Sequence, residues 1–590
     1  MAFVRGLQGD DPKYIKAMAC AKHYAVHSGP EKIRHRMNME PSQRDLYETY
    51  LPAFEALIKE GKAGSVMGAY SALYGIPCCA SPFLLDEVLR KRWGFDGVVF
   101  SDGGAIGDIW VEHKFVKDHV EAAAVAVKAG CDVSSGGMQD DGKELKRPGH
   151  ENYGIKGGRG FAPLPEAVTK GLITEKEVET ALARELVMRF RLGLFDPPER
   201  VPFSKIGMDQ NDKPEHRALA LKVAQQSMVL LKNDGLLPLD RAKYKRIAVI
   251  GPNADSIGMQ NGNYSGKPSK SVTILEGIKQ LAGNGIEVTY EKGCPLAIRR
   301  DKSELPAPEL AAKAVDSAKA ADLVIYVGGL DASLEKEEGN ARSDVYEGFT
   351  RGDRVTIEPP AVQQDLVKAL HATGRPLVMV NCSGSPIALA WEHQNLGAIL
   401  QAWYPGEEGG TAVAQVLFGE VSPAGRLPVT FYASTKDLPP FEDYSMKNRT
   451  YRYFQGKPLY AFGHGLSYNT FEYANVKSDP SAAPDGRIKL SFTVKNTGSR
   501  DGDEIAQVYA RYMKPKLPQA KMTLCAFERI SIPSGQLKQV SLEIPVSRFR
   551  HWDESKKDYA VEPGEYELMI GAASDDVRLR KTCVVTTPYP

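Results

Sequence analysis

No excess of either charge, no paired cysteine, no long apolar run and no metal or phosphate motif marks this chain. Lysine and arginine number 75 against 74 acidic residues. No net field therefore draws it to nucleic acid, an anionic membrane or another polyanion. None of its apolar runs approaches the ~18 residues of a membrane-spanning helix, so no membrane partner is expected. The N-terminal stretch MAFVRGLQGDDPKYIK lacks the apolar core of a secretory signal. The eight cysteines, at 20, 78, 79, 131, 294, 382, 525 and 583, are scattered through apolar segments without CxxC spacing. They read as small buried hydrophobes rather than as a disulfide frame or a metal site. His23 and His27 lie four apart, but in a strand and loop, and there is no HExxH. GIKGGRGF (154–161) is Gly-rich and basic without a GK[ST] ending and reads as a flexible loop. IGPNAD lacks the dinucleotide glycines, and no GxSxG elbow occurs. Neither a metal nor a cofactor is expected, and the chemistry is left to carboxylates.

What is present begins with GFDGVVFSDGGAIGDI, residues 94–109, where Val98, Val99 and Phe100 run into Ser101, Asp102, Gly103 and Gly104. Asp and Gly after a strand make an ordinary turn. A carboxylate at the C-terminal end of a buried parallel strand is also where barrel enzymes keep catalytic groups. From residue 17 to about 136 the chain repeats strand, loop and amphipathic helix, with strands at AMACAKHY, GSVMGAY, GVVFSD and AGCDVSS. In the helix between the first two, Ser42 and Asp45 have capping-box spacing, and Leu51, Phe54, Leu57 and Ile58 share a face. All four strands carry polar residues at their C-terminal ends: Lys22 and His23, Tyr70, Asp102, and Asp132. In parallel α/β architectures that edge binds ligands.

At 590 residues the chain exceeds a single core. The pattern predicts an α/β multidomain protein: alternating strands and helices with a parallel sheet over 1–200, a second α/β unit with a mostly parallel sheet over 201–440, a linker over 441–474, and a small β-sandwich over 475–590. The second unit follows its strand ADLVIYVGGLD with an acidic loop, ASLEKEEGNARSD. As a charge run this reads as a solvated loop. Glycoside hydrolysis, however, needs two carboxyl groups across the scissile bond, about 5–5.5 Å apart when configuration is retained. Each of two domains could supply one.

The segments KHYAVHSGPEKIRH, SVMGAYSALYGIPCCASPFLLDEVLRKRWGFDGVVFSDGGAI, SMVLLKNDGLLPL, IAVIGPNAD, QAWYPGEEGGTAVAQVLFGEVSPAGRLPVTF and TYRYFQGKPLYAFGHGLSYNTFEY carry a resemblance. Together they resemble glycoside hydrolase family 3, the β-glucosidases, β-xylosidases and their relatives. The resemblance implies a partial (β/α)8 barrel over 1–200, an α/β sandwich over 201–440 and a fibronectin-III-like β-sandwich over 475–590, and a retaining exo-β-glycosidase that releases glucose or xylose, secreted or periplasmic. It implies Asp102 as nucleophile and Glu335 as general acid/base, with Glu337 the alternative. Lys22 and His23 would bond the sugar hydroxyls, and Met67 and Tyr70 would wall the pocket. A cation such as Lys22 would keep Asp102 ionised. Gly103 departs from the Trp or Cys that the family usually places after the nucleophile. The resemblance also implies further barrel strands ahead of MAFVRGLQGDD, with a sugar-binding Asp and a GEDP motif, which this sequence does not contain. The expected partners are thus a glycoside substrate and either a second copy of the chain or a complementing N-terminal fragment. A binding-only homologue that cannot hold a sugar ring without its partner is the other reading.

Overall fold

Short apolar, β-branched runs that end in glycine or a turn residue become buried strands here. The computed structural model describes residues 1–27, 29–135, 160–302, 308–337 and 343–587, so most of GIKGGRGF lies outside the described residues. The chain divides into two compact units: Met1–Asn211 with Phe441–Ser445 and Trp552–Asp558, and Asp212–Pro440 with Met446–His551 and Tyr559–Pro590.

The first unit holds three parallel strands, β1 (Cys20–Tyr24), β2 (Ser65–Gly68) and β3 (Val98–Ser101), in that order across the sheet. Val66 lies opposite Val99, and Met67 opposite Phe100. The expected helix before β2 is broken into pieces. Ser42 caps it by accepting from the Asp45 N–H at 3.0 Å, a π-turn spans Leu46–Tyr50, and Pro52 opens the helix Pro52–Lys59. Leu51 and Ile58 are buried, as their shared face predicts. Two short segments from far along the chain complete this unit. Trp552 stacks on Tyr47 with ring centroids 3.5 Å apart, and its N–H donates to the Glu48 carboxylate. The Tyr444 hydroxyl donates to the Gly29 carbonyl at 2.6 Å.

In the second unit six strands form one sheet in the order β4-β9-β8-β7-β5-β6. They are β4 (Val229–Asn233), β5 (Arg246–Ile250), β6 (Glu287–Glu291), β7 (Leu323–Gly329), β8 (Leu377–Cys382) and β9 (Ala398–Gln401). All pair in parallel except β4, which runs antiparallel on β9. The sheet is buried on both faces, and β7 and β8 are buried at every position. The glycines of YPGEEGG serve packing: a Cβ on Gly410 would stand 1.9 Å from the Thr273 carbonyl, so only glycine lets helix Gly409–Leu417 close on helix Ile274–Ala282.

A β-sandwich follows in the same unit. Its sheets are β10 (Phe471–Ser478), β12 (Arg487–Asn496) and β15 (Leu537–Pro545), and β11 (Ser481–Ala482), β17 (Asp576–Val585), β16 (Gly564–Ala573), β13 (Gly502–Tyr512) and β14 (Thr523–Ile532). Strand alternation sets its core: Ile488, Leu490, Phe492 and Val494 point inward while Lys489 and Lys495 face water.

The fourth expected strand of the first unit, AGCDVSS, shrinks to one bridge between Val133 and Phe100. Asp132 is the reason. Its carboxylate, fully buried, accepts from Arg90 at 2.7 Å, from Arg184 at 2.9 Å and from the Val99 N–H at 2.9 Å. The side chain expected at a ligand-binding edge thus joins β3 to helix Glu175–Arg191 from within. Burial pushes its carboxyl above the usual range while both arginines and the Val99 N–H pull it back. Removing the partner of two partly buried guanidinium groups is costly. Asp132→Ala should lower unfolding free energy by ~3–5 kcal/mol, measured by urea denaturation at neutral pH. A loss below about 1 kcal/mol, the worth of a surface pair, would contradict this account.

Candidate active site

Two carboxylates, one in each unit, have the surroundings of reactive groups, and each set is built from the strand end that carries it.

In the first unit, the buried residues Val98 and Val99 bring β3 to Ser101 and Asp102. The Asp102 N–H donates to the Gly68 carbonyl, which keeps the chain in sheet register until the carboxylate emerges. Gly103 donates its N–H to Asp102 Oδ1 at 2.7 Å, and its carbonyl accepts from the Tyr70 hydroxyl at 3.0 Å. The two glycines differ in role. Gly104 sits at φ 88°, a left-handed turn that glycine adopts freely, and caps helix α1 (Ala105–Val111). A Cβ on Gly103 would meet only the Tyr70 hydroxyl, at 3.6 Å, so sterics do not demand glycine there.

The basic group on Asp102 is His23, whose Nε2 lies 3.1 Å from Oδ2. Lys22, expected to supply that charge, is exposed, and its charge acts on Cys20. Burial pushes the Asp102 carboxyl up, but His23, the Gly103 N–H and Tyr70 together outweigh it and hold the group below the usual aspartate range. Tyr70 is driven well above its ordinary value by burial and by the Asp102 charge, so it stays a neutral donor. Met67 is half-buried on β2 beside Phe100.

Residues outside the expected set complete the surroundings. His35 packs its ring 4.2 Å from that of Tyr70, Arg34 lies 4.9 Å over the same ring, and His113 Nε2 is 2.7 Å from the Tyr70 carbonyl. His35 is bonded through Nδ1 to Asp108 of α1 at 2.7 Å. The RH of KIRH and the GDI after SDGGAI were the available signals, but neither has a spacing that announces a pair.

In the second unit Glu335 lies beyond the end of β7. Gly329, at φ 121°, leaves the strand where a Cβ would stand 2.1 Å from the Cys382 carbonyl. Asp331 then folds the turn by accepting from the Ser333 N–H, and its carbonyl receives the Glu335 N–H. The Glu335 carboxylate accepts from the Gly384 N–H at 3.1 Å, from the Ser385 hydroxyl and from the Tyr404 hydroxyl, with Arg354 Nε 3.8 Å away. Burial drives Tyr404 far upward and the Glu335 charge adds to it, so this hydroxyl also stays a donor. Burial lowers the Arg354 guanidinium, which Glu335 opposes. Glu337 lies two residues on and has polar partners of its own. Arg354 comes from the short strand Asp353–Arg354 and Ser385 and Tyr404 from separate loops, and no local pattern ties them to Glu335. Among the described residues no group of three or more His, Cys, Asp or Glu side chains is placed to hold a metal ion.

Comparison with known proteins covers almost the whole chain. Residues 1–188 match the Glycosyl hydrolase family 3 N terminal domain, 228–468 its C-terminal domain, and 504–574 the Fibronectin type III-like domain. A xylan 1,4-β-xylosidase of Xylanibacter ruminicola is 36% identical over 98% of this chain and 80% of its own length. A periplasmic β-glucosidase of Salmonella typhimurium is 33% identical over 98% of this chain and 74% of its own. Among solved structures, a β-glucosidase of Erythrobacter marinus superposes with a TM-score of 0.83 at 30% identity, over 99% of this chain and 76% of that one. An exo-β-xylosidase solved with a xylobiose aziridine probe has the same TM-score at 27% identity, over 100% of this chain and 75% of that one.

His27 provides a test of the electrostatics around Asp102. Its ring lies 5.2 Å from that of His23, and burial, then His23 and Arg34, lowers its pKa from 6.5 to about 4. The unfolded chain therefore binds this proton more readily than the folded one between those values. Stability present at neutral pH should fall as pH drops from 6.5 toward 4, by at most ~3 kcal/mol from this residue, and the decline should level off below. Denaturation of wild type and His27→Gln at pH 7, 5.5 and 4 should give a shallower decline in the variant. Parallel curves would contradict the shift.

Proposed function

Because the chain belongs to glycosyl hydrolase family 3, we propose that it is a retaining, exo-acting β-glycosidase that releases glucose or xylose from the non-reducing ends of β-linked oligosaccharides, with Asp102 as nucleophile and Glu335 as general acid/base. The observation that supports the role of Asp102 most is the set of donors on its carboxylate. His23, the Gly103 N–H and Tyr70 keep it charged in a place where burial disfavours charge.

In the first step Asp102 forms a bond to the anomeric carbon as the bond to the leaving oxygen breaks, and Glu335 gives that oxygen its proton. In the second, Glu335 takes a proton from water, the water oxygen attacks the anomeric carbon, and Asp102 leaves as a carboxylate. His23 and Lys22 bond sugar hydroxyls in this reading, and Met67 and Tyr70 bound the ring. Glucose and xylose both stand because the relatives named above include β-glucosidases and β-xylosidases. The periplasmic Salmonella relative supports an extracytoplasmic place of work.

The reading includes a second copy of the chain, or a separate N-terminal fragment, covering the outer edge of β1. That edge leaves Cys20 exposed, and helix Glu175–Arg191 of the same unit exposes Leu182, Val187 and Phe190. Sedimentation of the purified chain at micromolar concentration should show a dimer. A stable monomer without an added fragment would remove this part.

The two carboxylates should fail in different ways. Asp102→Asn abolishes hydrolysis of nitrophenyl β-glucosides and β-xylosides alike. Glu335→Ala lowers kcat/KM on substrates with poor leaving groups by about 10²–10⁴-fold. The same variant spares dinitrophenyl glycosides, whose leaving group departs without a proton. If Glu337→Ala shows the selective loss and Glu335→Ala does not, the acid/base is Glu337.

A further inference from the structure

A nucleophile that must meet one carbon atom needs its surroundings fixed as closely as its charge, and misplacement by about 1 Å costs on the order of 10²-fold in rate. Asp102 stands at the start of a loop, so β3 alone does not fix it. What closes the loop is a circuit of contacts. From Asp102 the chain passes Gly103 and the left-handed Gly104 into α1, and α1 carries Asp108. Asp108 Oδ2 holds His35 Nδ1 at 2.7 Å. The His35 ring lies against Tyr70, 4.2 Å between centroids at 48°. The Tyr70 hydroxyl returns to the Gly103 carbonyl at 3.0 Å. His113, just beyond α1, braces the circuit a second time at the Tyr70 carbonyl, 2.7 Å away. The guanidinium of Arg34 lies over the Tyr70 ring, 4.9 Å from its centroid.

Neither Asp108 nor His35 touches Asp102 through any of these contacts, yet the circuit they form through Tyr70 ends on the turn that carries it. We propose that Asp108 and His35 are positioning residues for the nucleophile: their pair holds the Tyr70 ring, and through the Tyr70 hydroxyl it holds the Asp102–Gly103 turn in its attacking position. The inference rests on Asp102 being the nucleophile. A carboxyl within reach of a histidine often serves only to tie a helix to a loop. Here the tied ring lies against Tyr70, whose hydroxyl bonds the Gly103 carbonyl of the nucleophile's turn, which gives the pair a consequence for rate as well as for stability.

Covalent trapping separates the two. A dinitrophenyl 2-deoxy-2-fluoro-β-glycoside, of glucose and of xylose, loses dinitrophenolate as the Asp102 carboxylate bonds to its anomeric carbon. The adduct then turns over slowly and can be located by peptide mass spectrometry. With wild type labelled at Asp102, His35→Phe and Asp108→Ala should lower the trapping rate at saturating reagent by about 10–100-fold, with the half-saturating concentration changed less than three-fold. Asp108→Asn keeps an oxygen for the His35 N–H and should recover most of the rate. Should Asp108→Ala fail to fold, His35→Phe carries the test, since its ring fills the same space without the bond. Trapping at the wild-type rate in His35→Phe, or no recovery in Asp108→Asn relative to Asp108→Ala, overturns the inference while leaving Asp102 as nucleophile. A wild-type protein that hydrolyses glycosides but is labelled elsewhere than Asp102 overturns the function assigned to Asp102, and this inference with it.

Discussion

The unit that carries Asp102 is organised around the cost of keeping one carboxylate charged at the end of a buried strand. Burial works against Asp102 more than any single neighbour works for it. Only the sum of His23, the Gly103 N–H and Tyr70 reverses the balance, and each of these has a geometric demand. His23 requires β1 to lie next but one to β3 in the sheet, Tyr70 requires β2 between them, and the Gly103 N–H requires the turn to begin at once. The strand order therefore follows from what one carboxylate needs.

Glu335 meets the same demand by other means. No helix delivers its partners. Arg354 comes from a two-residue hairpin strand, Asp353–Arg354, and Gly384, Ser385 and Tyr404 from two loops, which reach it because glycine lets backbones approach: a Cβ on Gly384 would stand 2.9 Å from the Tyr404 ring and 3.4 Å from the carboxylate. One carboxylate is thus set by sheet order and the other by loop approach. The first tolerates little change in strand register, and the second tolerates little change in loop composition.

This contrast explains what could be read in the sequence. The contiguous apolar runs at 98–100, 323–327 and 377–380 announced buried strands, since a strand covered on both faces needs no alternation. The acid after Phe100 and the glycines after it were visible for the same reason. Long motifs in the right order carried the family, and domain and relative matches across nearly the whole chain agree. What failed depended on partners distant in sequence. Asp132 looked like a ligand-edge acid because Arg184, 52 residues away, leaves no local trace. Lys22 was read as a cation beside Asp102 because charge is legible in a sequence, whereas the bond from His23 Nε2 to Asp102 Oδ2 spans 79 residues and two strands. Tyr404 lies in a quoted motif, but its bond to Glu335 spans 69 residues. The antiparallel edge strand β4 shares the apolar look of its parallel neighbours, and periodicity does not report direction.

The return of Phe441–Ser445 and Trp552–Asp558 to the first unit governs how this protein is made. A ribosome releases residue 211 more than 300 residues before Trp552 arrives to cover Tyr47. At ~5–20 residues per second this is an interval of roughly 20–60 s. Throughout it the face of Tyr47 lacks its indole, and for about its first two-thirds the Gly29 carbonyl also lacks the Tyr444 hydroxyl. Synthesis of the second unit thus times completion of the first, and a chain halted before Trp552 carries the strand of Asp102 without the ring that covers Tyr47.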